Sequence, residues 1–238
     1  MPIINLISGP RNISTALMYS FAQREDTLVL DEPFYGNYLS RFDVDHPGKE
    51  EIIASMLLNV DDILNDINEK TSTGKTVFIK NMAHHLIEMD LDFLRNMTNV
   101  FLIRNPKQLI ASFAQVIPNP TIQDIGVKRQ TELYDFIKTF QPKVPVVDSS
   151  EVLKNPKKVL SALCEKINLT FTEKMLHWDP NKSVVDVPWA KYWYANVQKS
   201  SGFEKQPTST RELPIHCEPL YLEAKTLYEK MYQHSLKA

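Results

Sequence analysis

Two short stretches of this chain place charged and hydroxyl side chains where an anion would be gripped. The first is Ser8-Gly9-Pro10-Arg11-Asn12-Ile13-Ser14-Thr15, between the apolar run Ile3 to Ile7 and a helical pattern from Thr15 to Gln23. A strand that turns directly into a helix leaves the N–H groups of the first helical turn unpaired, and the positive end of the helix dipole favours negative charge there. Arg11 adds a forked, permanently charged donor, and Ser14 and Thr15 can cap the helix or donate hydroxyls to ligand oxygens. The second stretch is Arg104-Asn105-Pro106-Lys107 after the run Val100 to Ile103, with Ser112 eight residues beyond Arg104 on the following helix. Arg104 falls at the carboxyl end of a strand, where α/β sheets bind ligands. Ser112 lies about two helical turns further on, so both residues can serve one anion.

Neither stretch suits a nucleoside triphosphate. No Gly-Lys-Ser/Thr follows Gly9 at the required distance. Gly74-Lys75-Thr76 has Glu69 where the first glycine of such a motif belongs, and it precedes a strand instead of following one.

Candidates for proton transfer lie after two other strands. Glu32, in Asp31-Glu32-Pro33-Phe34, follows the second strand; His84 and His85 follow the third. A carboxylate or imidazole at a strand's carboxyl end is placed to take a proton from an acceptor. For Glu32 the competing reading is a loop cap or an ion pair with Arg11. Adjacent histidines on a helix diverge by about 100°, so at most one of the pair faces a site and no metal is expected.

The elements that must hold these residues are legible as alternating patterns. Apolar, β-rich runs recur at Ile3 to Ile7, Thr27 to Leu30, Val77 to Ile79, Val100 to Ile103 and Val144 to Val147, as expected for strands buried on both faces. Helical patterns fall at Thr15 to Gln23, Ile52 to Asn68, Lys107 to Ala114, Lys128 to Phe140, Pro156 to Ile167 and Glu218 to Ser235. Strand alternating with helix predicts a parallel sheet. An aromatic, irregular stretch, 178–214, holds Trp178, Trp189 and Trp193 and reads as a lid or acceptor loop within a single domain, 1–238.

Bulk properties narrow the class. The chain has 238 residues, 43% hydrophobic and 24% charged, a globular composition. A net charge of −2 argues against a broad basic surface, so no nucleic acid and no membrane partner is expected. Cys164 and Cys217 fit neither a zinc pattern nor a disulfide framework. With no apolar run long enough to span a bilayer and no leader-like N-terminus, the expected location is the cytoplasm.

Taken together, Gly9-Pro10-Arg11-Asn12-Ile13-Ser14-Thr15 and Arg104-Asn105-Pro106-Lys107 to Ser112 resemble the two nucleotide motifs of the sulfotransferase family. The first corresponds to a Pro-Lys/Arg-Ser-Gly-Ser/Thr-Thr loop around the 5′-phosphosulfate, with Asn12-Ile13 in place of Ser-Gly. The second corresponds to an Arg-x-Pro/Lys motif with a later serine at the 3′-phosphate. Similarity continues through Val147 to Pro156 and Leu163 to Leu169. The resemblance implies a P-loop-like three-layer α/β/α fold with a central parallel sheet and 3′-phosphoadenosine 5′-phosphosulfate (PAPS) as donor. It also implies sulfuryl transfer to a hydroxyl or amine of a small-molecule or carbohydrate acceptor. A non-catalytic nucleotide-binding protein of the same fold is the alternative, and a homodimer is possible. Within the resemblance Arg11 stabilises the leaving phosphate. Glu32 matches a glutamate of carbohydrate and bacterial relatives, and Lys80 matches the lysine of a Lys-Thr-His sequence whose histidine position holds Met82. His84 or His85 is the substitute imidazole, and Ser201-Gly202 correspond to a basic glycine-containing loop that closes over the nucleotide. Trp189, Tyr192, Trp193 and Tyr194 are acceptor-pocket candidates.

Overall fold

The computed structural model describes residues 2–115, 117–203 and 211–238. Among these, six strands form one sheet in the order β2-β3-β1-β4-β5-β6, and every neighbouring pair is parallel. They are β1 (Ile3–Ser8), β2 (Thr27–Asp31), β3 (Thr76–Met82), β4 (Thr98–Ile103), β5 (Val146–Asp148) and β6 (Ser235–Leu236). The first five are the expected strands; β6, a two-residue edge, has no apolar run to announce it.

The sheet is covered on both faces because its residues alternate between two cores. Ile4 and Leu6 of β1 and Val100 and Leu102 of β4 face one cluster, with Leu17, Phe21 and Leu160. Ile3, Ile7, Phe101 and Ile103 face the other, with Ile67, Leu133 and Met231. These helical residues belong to α1 (Ser14–Ala22), α4 (Val60–Thr71), α6 (Val127–Lys138), α8 (Pro156–Lys166) and α10 (Glu218–Tyr232). Two-sided burial is what turns each strand into a continuous apolar run. The three-layer α/β/α architecture follows.

The remaining helices are α2 (Tyr35–Arg41), α3 (Lys49–Ser55), α5 (Pro106–Phe113), α7 (Ser149–Lys154) and α9 (Ala190–Trp193). The single helix expected over Ile52 to Asn68 is two: the chain is extended at Met56, and Asn59 accepts from the N–H groups of Asp61 and Asp62 to start α4 afresh. An Asx cap followed by acidic residues is a strong start signal, and it outweighs apolar periodicity carried across it. At α5 the same logic works cleanly: Asn105 caps Lys107 N–H and Pro106 occupies the first turn.

Candidate active site

The first loop and the second arginine motif meet at the carboxyl ends of β1 and β4, which are adjacent strands. Arg11 adopts φ 53°, a left-handed conformation costly for an arginine. Asn12 pins the loop from the other side, donating to Leu102 O on β4 at 3.1 Å while its own Oδ1 accepts from Ile13 N at 2.9 Å. Ile13 has φ −88°, so glycine's freedom is not needed there.

The two motifs then lock into each other. Arg11 reaches across to Ser112 Oγ through Nε at 3.3 Å and Nη2 at 3.4 Å, and Arg104 Nη1 donates back to the carbonyl of Arg11. Among the described residues neither guanidinium has a carboxylate within ion-pair distance. Burial lowers the pKa of Arg104, and the neighbouring charges of Arg11 and Arg211 lower it further, against Asp148. The first turn of α1 has no side-chain cap and no acidic residue. Unneutralised like charges beside uncapped helix N–H groups form a site that an anion would stabilise. Ser14 is buried at the first helical position and Thr15 is half-buried.

The space beneath the loop, lined by Gly9, Pro10, Asn12, Arg104 and Gln130, holds ≈ 10 Å³, about one water. Arg11 is exposed on the open side of the loop. Gln130 closes the floor by donating to Ile7 O at 3.1 Å and Leu102 O at 2.7 Å.

A second polar group sits on β2 and β3 along the same sheet edge, β3 beside β1 at roughly 5 Å and β2 at roughly 10 Å. Lys80 Nζ donates to Asp31 Oδ1 at 2.8 Å, Glu32 Oε1 at 2.5 Å and Tyr194 OH at 2.8 Å, which uses all three of its protons. Trp189 Nε1 and Tyr194 OH both donate to Asp31 Oδ2. Burial alone would lower Lys80's pKa, but Asp31 and Glu32 raise it well above the lysine value, so the ammonium stays charged. Burial raises the pKa of Glu32, and the Lys80 charge opposes that rise without cancelling it. Glu32 too is left-handed, φ 49°, and its N–H donates to Lys80 O at 2.7 Å.

The expected residues thus divide in two. Arg11, Arg104 and Ser112 lie together, with Ser112 in contact with Arg11 rather than with Arg104, its expected partner. The ion pair considered between Glu32 and Arg11 does not form; Glu32 pairs with Lys80. The ammonium of Lys80, expected at the leaving group, is engaged in this cage. His84 lies between the groups: a Cβ built on Gly126 would be 3.3 Å from Pro10 Cδ and 4.0 Å from His84 Nδ1. Burial drives the pKa of His84 down to about 4, with His46 adding to it, so the ring is neutral. His85 is shifted well below its ordinary value for the same first reason.

Ser201 and Gly202 border a separate cavity of ≈ 340 Å³ with Asn155, Lys157 and His177. Gly202 bridges to His177, and Trp178 N donates to Ser201 O at 3.1 Å. In the stretch 178–214, residues 204–210 lie outside those described. Trp178, Trp189 and Tyr194 are core residues, 5%, 2% and 2% exposed, whereas Tyr192 and Trp193 are open to solvent. Asp31, Tyr194 and Trp189 as a lysine cage, and Arg211 as a third nearby charge, were not found from sequence. Tyr194 meets its partner Asp31 across 163 residues. No local signal spans such a distance.

A family model described as a sulfotransferase domain matches residues 1–233. Two curated Arabidopsis thaliana proteins, branched-chain-amino-acid aminotransferase-like proteins 1 and 2, are each 30% identical, over 98% and 93% of this chain. The chain spans 42% and 41% of their lengths. Among solved structures it resembles the sulfotransferase domain of the Synechococcus PCC 7002 olefin synthase, with TM-score 0.55, 14% identity, and 99% of this chain and 96% of that one covered. A sulfotransferase from Alicyclobacillus acidocaldarius gives TM-score 0.55 and 13% identity, covering 99% and 97%. At such identities the structures speak to the fold.

Proposed function

The chain belongs to the sulfotransferase domain family, and on that premise we propose that it moves a sulfuryl group from PAPS to a hydroxyl or amine of a small-molecule or carbohydrate acceptor. The observation that carries this reading is the interlocked pair Arg11 and Arg104, in which Arg104 donates to the Arg11 carbonyl and Arg11 to Ser112, without carboxylate partners among the described residues. Its charge suits a nucleotide with phosphates at both ends.

In this reading the N–H groups at the start of α1, with Ser14, Thr15 and Arg11, hold the 5′ side, and Arg104 with Ser112 holds the 3′-phosphate. The donor supplies the sulfuryl group and a stable phosphate leaving group. Arg11 balances the charge that develops on that phosphate, an effect that depends on a donor already in place. Glu32 takes the acceptor's proton. A buried carboxylate with a raised pKa is a stronger base than an exposed one, and Lys80 and the backbone bond to Lys80 O fix its direction.

Isothermal titration with adenosine 3′,5′-bisphosphate tests the reading. Binding, followed by sulfate release from PAPS, supports it. Absence of binding at millimolar ligand rejects it, and binding without any turnover would favour the non-catalytic alternative.

A further inference from the structure

The outer face of α10 carries apolar side chains where a solvated helix would carry charge. Its inner face is buried through Ala224, Tyr228 and Met231. On the opposite face, beginning in the 3₁₀ turn Ile215–Cys217 that leads into the helix, Ile215, Pro219, Leu222 and Thr226 are all exposed. They recur at intervals of four, three and four residues, which on a helix is a single stripe. Ile215 is 92% exposed and Leu222 56%, the two highest values for large apolar side chains among the described residues. Thr226 Oγ1 donates to Leu222 O at 3.4 Å, so its hydroxyl is satisfied within the helix. His216 Nε2 donates to Pro118 O at 2.9 Å, which holds the segment bearing Ile117, also exposed, beside the start of the stripe. Exposed apolar residues scattered singly are ordinary, but a row of them along one helix marks a contact surface.

The charges beside the stripe identify its occupant. Glu218 and Lys225 flank Leu222 on one side, about a turn before it and a turn after it, and Glu223 borders it on the other. In an antiparallel pair of such helices related by a twofold axis, the register that sets Leu222 of one copy against Pro219 of the other also sets Ile215 against Thr226. That same register brings Glu218 of each copy to Lys225 of the other, and Glu223 beside His216, so opposite charges meet on one flank and no like charges meet on the other. Among the described residues Glu218 and Glu223 have no ion-pair partner, and Lys225 has Glu229 of its own helix at 3.7 Å. We propose that the outer face of α10 is a self-complementary surface through which two copies of this chain form a twofold dimer. The pairing is independent of donor and acceptor chemistry, because the stripe shares no residue with the Arg11 loop, the Arg104 motif or the lysine cage. A contact limited to one helix and its leading turn falls at the small end of specific interfaces, so a dissociation constant of about 1–100 μM is expected.

Sedimentation equilibrium of the full chain from about 1 to about 500 μM tests the pairing and should show a reversible monomer–dimer equilibrium. Every substitution in a twofold contact acts twice. Leu222→Asp places two carboxylates near the centre and should raise the dissociation constant about 100-fold. Its far-UV circular dichroism and thermal midpoint should stay at the unmodified values because the side chain is exposed, and Ile215→Asp supplies the same reading should Leu222→Asp fold poorly. Glu218→Lys and Lys225→Glu should each weaken self-association about 10-fold, whereas mixing the two variant chains should restore it, since opposite charges then meet at both pairs. A chain that stays monomeric throughout the range overturns the dimer. A dimer indifferent to both Leu222→Asp and Ile215→Asp removes it from α10, and mixed chains that associate no better than either variant alone overturn the register.

Discussion

The two polar groups along the sheet edge are built on opposite principles. At the ends of β1 and β4, Arg11 and Arg104 lie together without a carboxylate among the described residues, partly open to solvent. At the ends of β2 and β3, Lys80 is buried between Asp31 and Glu32 with all of its protons taken. The first group leaves positive charge for something to arrive; the second satisfies itself and holds one carboxylate still. An uncompensated pair of cations and a closed ionic cage can thus share one edge of one sheet because burial decides which charges must be neutralised within the fold.

The sharpest way to break this contrast is to remove the buried cation. Lys80→Met leaves Asp31 and Glu32 uncompensated and should cost about 3–5 kcal/mol in urea denaturation; a loss below about 1 kcal/mol would mean the cage is solvated. Arg11→Ala should do the reverse. Its thermal midpoint should stay near that of the unmodified chain, while sulfate release from PAPS falls on the order of 10²–10³-fold, as for other donors to developing charge. Arg104→Ala should weaken adenosine 3′,5′-bisphosphate binding about 10- to 100-fold by calorimetry, the worth of a charged hydrogen bond, with a shallower salt dependence.

The smallest effect sharpens the boundary between the groups, where His84 stands. Its pKa is lowered from 6.5 to about 4 in the fold, so folding favours the neutral ring. The stability this contributes is complete above pH 6.5 and is lost as pH falls from 6.5 towards 4. Thermal melts across that range should show a decline of about 2 kcal/mol attributable to this ring, allowing for its partial exposure, and His84→Gln should flatten it. His85 shifts in the same direction, so some decline should persist in that variant.

Much of the site was legible because strand ends in a parallel sheet are predictable places. The runs at Ile3, Thr27, Val77 and Val100 mark β1 to β4, and whatever follows them lies on one edge. The placement of Arg11, Glu32, His84 and Arg104 after strand ends was readable that way. Their partners were not. The spacing of Ser112 suggested a shared anion with Arg104, and its contact in the fold is with Arg11. Lys80 looked free for a ligand because nothing near it in sequence is acidic. Asp31 and Glu32 reach it only through the pairing of β2 with β3, where Asp31 stands opposite Lys80. The aromatics of the irregular stretch looked alike, yet Trp189 and Tyr194 reach inward to Asp31 while Trp193 faces water.

What the amino-acid order determined by itself is what depends on near neighbours: apolar runs for strands, helical patterns between them, and the residues that follow each strand. What tertiary structure alone decided is the ionic pairing: Glu32 with Lys80 rather than Arg11, Arg11 with Ser112, and Tyr194 under Asp31. Local signals act through backbone geometry over a few residues, whereas a charge chooses its partner by distance and burial, and both are set when strands far apart in sequence come to lie side by side.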